Sequence, residues 1–270
     1  MDHGLDGSEA VSKQTQFMHV FPDRYVAGDQ MDLVSFRLKL FFCFLKLRNC
    51  SACQYQDHIL VYISGGLQPH AASASGLAAD AFVQSMDNCW KERFDAVNLK
   101  KRLLESYDQV NEVVFDASRA NPDYAGMGTT MVAVVCGDGQ ALVGNVGDSR
   151  AYFLDETGMR QITEDHSLVT ELMKRGDLTP YQASRHPSRN VITRAMGADA
   201  TVQCDTFTET VKQENFILLC SDGLIREVTE PEIYYEIFQA DHPETACARL
   251  MEMAKNRGGH DNITMVLIGF

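Results

Sequence analysis

Strand signals in this chain fall next to one another and not between helices. Apolar runs at 130–136 and 140–146 flank Gly137-Asp138-Gly139, a sequence suited to a tight hairpin. A third run, 150–154, follows another tight turn at Gly147-Asp148. Tight hairpins join antiparallel strands, because a parallel pair needs a long crossover. Helical signals are paired as well. Residues 71–90 read as one helix, and a second begins near Asn98, a suitable N-cap. It carries Leu99, Leu103, Val110, Val114 and Ala117 on roughly one face. Thr179 with Gln182, and Thr229 with Glu232, have capping-box spacing, and Pro180 sits just inside its helix. The last helix opens at Asp241 and Glu244 and stops near Gly258. Further strands are predicted at 59–63, 202–207, 216–220 and 263–268. This pairing excludes the alternation of a parallel α/β sheet. It predicts an α+β fold in which two antiparallel sheets pack face to face, with helix pairs on the outer faces.

The chain has 270 residues, enough for one large domain with an extra segment. Residues 1–56 lack the regular pattern of residues 57–270, so the chain divides there into a divergent N-terminal segment and a domain. The 33–47 stretch is compatible with a strand pair or with an apolar helix. It is shorter than the ~20 residues a bilayer span needs, and Arg37, Lys39 and Lys46 interrupt it. No membrane span is expected. A formal charge of −13 argues against nucleic acid, which requires a basic surface. Eight cysteines are spread thinly, several in apolar runs, as buried free thiols in a reducing compartment would be. Cys50 and Cys53 form a lone CxxC with no second ligand pair, a weak zinc signal. The start of the chain, MDHGLDGSEA, is acidic and polar and does not read as a secretory signal, so a cytoplasmic protein is expected.

Three acidic residues stand at strand ends beside glycine or a tight turn. They are Asp148 in GNVGDSRAYF, Asp222 in FILLCSDGL and Asp261 in GGHDNITMVLI. Small neighbours let a carboxylate reach into a cleft, and hard cations such as Mg²⁺ and Mn²⁺ take oxygen ligands of this kind. Taken singly, each reads equally well as a turn residue or a strand-entry cap.

The combination carries more. The strings GMGTTMVAVV (126–135), ALVGNVGDSRAYFL (141–154), QITEDHSLV (161–169), RHPSRNVITRAMG (185–197), LLCSDGL (218–224) and GGHDNITMVLI (258–268) occur in order. Together they resemble the bacterial branch of the 2C-type, metal-dependent protein serine/threonine phosphatases. The resemblance covers roughly the last three quarters of the chain. It implies an αββα four-layer sandwich with two Mn²⁺ or Mg²⁺ ions in a cleft at one edge of the sheets. It implies hydrolysis of phosphoserine and phosphothreonine by a metal-activated water, with phosphorylated proteins and a cognate Ser/Thr kinase as partners. By resemblance Asp222 and Asp261 are metal ligands, Asp148 belongs to a third, weaker metal, and Gly66 offers its carbonyl. His70 takes the leaving-group protonation role. Residues 163–197 match a flap beside the cleft, where Arg185, Arg189 and Arg194 offer charge to a phosphopeptide.

The upstream motif departs from the family. Where the family has an acidic DGMGGH-type turn, this chain reads ISGGLQPH, which puts Gly65 where an Asp should bridge the two metals. Asp57, in a faint Gln56-Asp57 echo of another acidic turn, is a candidate substitute. Without a bridging carboxylate the rate should fall on the order of a thousandfold. The alternative reading is therefore a catalytically impaired, phosphatase-like binding or regulatory module.

Overall fold

The computed structural model describes the backbone of residues 16–18, 39–45, 50–55, 58–67, 71–87 and 96–270, and the side chains of 73–86 and 97–270. Eleven strands among these residues form two antiparallel sheets. They are β1 (Gln16–Met18), β2 (Lys39–Leu45), β3 (Cys50–Tyr55), β4 (His58–Leu67), β5 (Gly128–Gly137), β6 (Gln140–Val146), β7 (Arg150–Asp155), β8 (Gly158–Gln161), β9 (Asp205–Thr210), β10 (Phe216–Cys220) and β11 (Ile263–Gly269). One sheet runs β1-β2-β11-β10-β7-β8 and the other β3-β4-β5-β6-β9. Asp138 and Gly139 take positive φ, 47° and 69°, between the paired Gly137 and Gln140, as the predicted hairpin requires.

Seven α-helices and one short 3₁₀ helix (Pro122–Tyr124) complete the described elements: α1 (Ala71–Asp87), α2 (Ala96–Ala120), α3 (Leu168–Lys174), α4 (Pro180–Ser184), α5 (Asp222–Glu227), α6 (Glu230–Gln239) and α7 (Pro243–Asn256). The central strands are apolar on both faces, because one face meets the other sheet and the other meets helices. In β5, Val132, Val134 and Cys136 point between the sheets, where Ile217, Leu219, Val266 and Ile268 meet them. The alternate residues Met131, Ala133 and Val135 pack under Phe82 of α1 and Leu103, Tyr107 and Val110 of α2. In the second sheet, Leu218, Cys220, Met265 and Leu267 lie under Ile233 and Ile237 of α6 and Leu250 and Met251 of α7. The α+β four-layer order αββα follows from that alternation.

Several expectations shift. α2 starts at Ala96, so Asn98 lies within the first turn and is not its N-cap. β9 begins at Asp205 and not at 202. β8 and α5, of four and six residues, had no clear sequence signal. The expected capping boxes are present: Gln182 accepts from the Thr179 amide at 2.8 Å and Glu232 from the Thr229 amide at 2.9 Å. The 33–47 stretch supplies a strand, β2, paired with β11 at the middle of its sheet. β1, β2 and β3 all precede residue 57 and belong to the same two sheets as the later strands. Cys136, Cys220 and Cys247 are buried free thiols. Among the described residues no helix is long and apolar enough to cross a membrane.

Tyr107 ties α2 to the sheet. Its ring is fully buried, meets Phe82 edge-on at 5.8 Å, and its hydroxyl donates to the Gly144 carbonyl at 2.8 Å. Tyr107→Phe should cost about 1–2 kcal/mol and Tyr107→Ala about 3–5 kcal/mol in urea denaturation. A loss in Tyr107→Phe within error of zero would show that the buried hydroxyl contributes nothing net.

Candidate functional site

Three strand ends meet at one edge of the two sheets. β10 ends at Cys220, and Ser221 turns the chain into α5, whose first residue is Asp222. Opposite, Asp261 and Asn262 lead into β11. The two segments are stitched together tightly. The Ser221 amide donates to the Thr264 carbonyl at 2.9 Å, and its hydroxyl donates to the Asn262 carbonyl at 2.9 Å and accepts from the Thr264 amide at 3.0 Å. Gly223 then passes so close to this backbone that a Cβ there would lie 2.4 Å from the Asn262 oxygen. Only glycine permits that approach, and the approach sets Asp222 beside Asp261.

The third end is the turn after β6. Gly147 has φ +110°, and a Cβ on it would lie 2.5 Å from Cβ of Thr130. Thr130 in turn shares a 2.8 Å hydroxyl contact with Ser149, so the Gly147–Ser149 turn is pressed against β5. His166 clamps the same turn from the other side. Its amide donates to the Gly147 carbonyl and its Nδ1 accepts from the Gly147 amide, both at 3.0 Å. With Nδ1 accepting, Nε2 carries the proton and faces Asp205 Oδ2 at 3.0 Å. Burial holds the His166 imidazole below its ordinary range, although the hydrogen bond to Asp205 opposes this. Asp148 projects from this clamped turn.

Electrostatically the edge is crowded. Burial, followed by the charges of Asp222 and Asp165, pushes the Asp148 carboxyl up to about 7. Asp222 is also raised, chiefly by burial, against the pull of Arg226 and with the push of Asp261. Arg226 bridges two of the carboxylates. One guanidinium nitrogen pairs with Asp222 Oδ2 and the other lies 3.3 Å from Asp261 Oδ2. Asp261 Oδ1 accepts from the Asn262 amide at 2.7 Å. Asp165 is held by a bidentate Arg150, at 2.8 and 2.6 Å.

The structure thus brings together Asp148, Asp222 and Asp261 of the expected site. Gly66 lies on β4 in register with Thr129, and Gly65 in register with Thr130, so the upstream glycine pair abuts the strand residue that braces the Asp148 turn. Asp57 and His70 lie outside the described residues. Of the flap arginines, Arg189 is exposed and Arg185 lies 4.3 Å over the Tyr181 ring. Arg194, expected to face a phosphopeptide, is committed to the Asp205 carboxylate at 3.0 Å and the Gln203 carbonyl at 2.9 Å. Sequence reading passed over Arg226, His166 and Asp165. The latter two stood in the QITEDHSLV string; Arg226 stands four residues after Asp222, a spacing that meets on a helix face.

The donor set is oxygen only, which suits a hard cation, and the raised Asp148 and Asp222 are carboxylates that a cation would relieve. Among the described residues, no three His, Cys, Asp or Glu side chains close round a single point. The described side chains offer oxygen donors of the kind a hard cation takes but do not by themselves form a closed cage.

The protein phosphatase 2C sequence profile matches residues 49–256. A serine/threonine phosphatase, stp, of Listeria innocua is 35% identical over 213 residues, which are 77% of this chain and 83% of that protein. A serine/threonine phosphatase of S. agalactiae superposes with a TM-score of 0.78 at 26% identity, covering 86% of this chain and 99% of that one. The catalytic domain of the serine/threonine phosphatase PstP, in complex with two manganese ions, superposes with a TM-score of 0.69 at 25% identity, covering 86% and 97%. With its sandwich, its ordered motifs and its carboxylate edge, this chain belongs to the protein phosphatase 2C family.

Proposed function

We propose that the edge formed by Asp148, Asp222 and Asp261 is where this chain, a serine/threonine phosphatase by family, hydrolyses phosphoserine and phosphothreonine in proteins. The observation that carries the assignment is the convergence of three half-buried carboxylates from separate strand ends, two of them raised by burial and mutual charge. Such crowding costs stability and is retained where a cation or a phosphoryl group is handled. Asp222 and Asp261 would hold a Mn²⁺ or Mg²⁺ ion, and the family resemblance suggests the Gly66 carbonyl as a further oxygen, a second ion, and a third, weaker one at Asp148. When bound, such cations acidify water and offset phosphate charge.

The chain's own residues do the rest. Ser221, through its hydroxyl, and Gly223, through its close backbone approach, fix the separation of Asp222 from Asp261. His166 and Thr130 hold the Asp148 turn from opposite sides. Arg185 and Arg189 supply positive charge on the flap for a phosphorylated segment. His70 is assigned to protonate the departing serine or threonine oxygen, and Asp57 to supply the carboxylate that Gly65 lacks. The physiological counterpart would be a Ser/Thr kinase whose products this chain reverses. A reducing, cytoplasmic setting suits its buried thiols.

Hydrolysis of an aryl phosphate and of a phosphothreonine peptide, with and without Mn²⁺, tests this. Wild-type turnover should require the metal and fall on the order of 10²–10³-fold or more in Asp222→Ala. Gly65→Asp should raise it. Turnover only in Gly65→Asp would identify a phosphoprotein-binding relative disabled at one carboxylate. No turnover in either would overturn the assignment.

A pH dependence follows from Asp148. Its folded-state pKa is raised, so the native state binds its proton more tightly than the unfolded chain does. The associated stability is full below about pH 4 and is lost as pH rises through about 7. Between those limits the metal-free wild type should lose about 1–3 kcal/mol relative to Asp148→Asn. Paired urea titrations at pH 4.5 and 7.5 (about the ends of that window) would show it; parallel curves would mean that Asp148 titrates as an ordinary surface acid.

A further inference from the structure

We propose that Arg226 is a built-in counter-cation of this centre, bridging Asp222 and Asp261 in the metal-free protein and competing with a divalent cation for the same two carboxylates. The inference rests on the metal centre proposed above and adds a residue that sets its affinity. One guanidinium spans two acids from different elements: it pairs with Asp222 at the start of α5 and lies 3.3 Å from Asp261 ahead of β11. Arg226 is four residues after Asp222 on a six-residue helix, so backbone geometry delivers it to that point. The planar fork of arginine suits such a bridge, whereas a lysine ammonium is a single point charge.

The competition is over particular atoms. The guanidinium contacts Oδ2 of both acids, and Oδ1 of Asp261 is already taken by the Asn262 amide. A cation drawn to Asp222 and Asp261 would meet a like charge already seated on those Oδ2 atoms. Arg226 must release them first, and its side chain, 36% exposed, has a path to solvent. The neighbouring cation, Arg150, is no substitute, because it is committed to Asp165. Release of Arg226 leaves Asp222 and Asp261 without their shared counter-charge, so the vacated state is the less favoured one. The apparent metal affinity is then the intrinsic affinity reduced by the fraction of molecules in which the arginine has let go.

The test is Mn²⁺ binding to the metal-stripped full chain, read from the spin-resonance signal of free Mn²⁺ and independent of turnover. Arg226→Gln, which keeps a polar side chain without the charge, should bind Mn²⁺ at least about tenfold more tightly than wild type. It should also show a larger rise in thermal midpoint on adding Mn²⁺. Arg160→Gln removes an arginine paired elsewhere, with Glu209, and should leave the affinity unchanged. Should Arg226→Gln fail to fold, Arg226→Lys carries the test, with a smaller tightening expected. Equal or weaker Mn²⁺ binding in the folded Arg226 variant overturns the proposal while leaving the metal centre standing. An absence of Mn²⁺ binding in wild type and variant alike overturns both.

Discussion

The backbone contact between Gly223 and Asn262 is the constraint on which the site depends. Two strands of one sheet, β10 and β11, lie side by side along the whole of β10. Their adjacent ends could diverge into separate loops. Here α5 begins directly on the entry to β11, at a distance no Cβ would tolerate, with Ser221 serving as donor and acceptor across the gap. The position of Asp222 relative to Asp261 is thereby set by the Gly223–Asn262 main-chain contact and by the short Ser221 side chain. A site fixed by backbone contacts loses less order when charge or ligand changes than one fixed by long side chains.

Rigidity of this kind requires a core that does not yield. The central strands are packed on both faces, so moving β10 or β11 would disturb the inter-sheet layer and the layer under α6 and α7 at once. The same holds for β5 and β6 beneath α1 and α2. The Asp148 turn depends on this second sheet, through Thr130 and the His166 clamp. The edge where three acids meet is thus the place where the two sheets, each anchored by its own helix pair, contribute opposite walls. Close-packed layers transmit the position of one wall to the other.

Much of this was legible in the chain. Adjacent apolar runs and the Gly137–Gly139 hairpin pointed to the antiparallel pairing, and the helical signals at 71–90, from Asn98, at Thr229–Glu232 and from Asp241 pointed to the outer helix pairs. The ordered motifs gave the carboxylates. What escaped was short or conditional. α5 has only six residues and begins with Asp-Gly, a pair that reads as a turn, so the i to i+4 relation of Asp222 to Arg226 was hidden. Arg194 looked like free charge on the flap, but its partner Asp205 lies eleven residues on and meets it only through tertiary folding. His166 is similar: nothing local says that its ring will sit under Gly147, nineteen residues earlier.

The acids and the arginine together express a conflict between stability and function. Three carboxylates at one half-buried edge repel, and burial raises two of them above the ordinary range. A chain selected for stability alone would replace one of them. A chain selected for a charged ligand must keep them and find another way to stand without it. Arg226 offers that way, because a bridge between two carboxylates offsets the repulsion yet remains partly solvated and reversible. A fully buried ion pair in its place would have locked the edge shut, since separating buried partners costs several kcal/mol. Partial exposure leaves this bridge solvated enough to separate at modest cost.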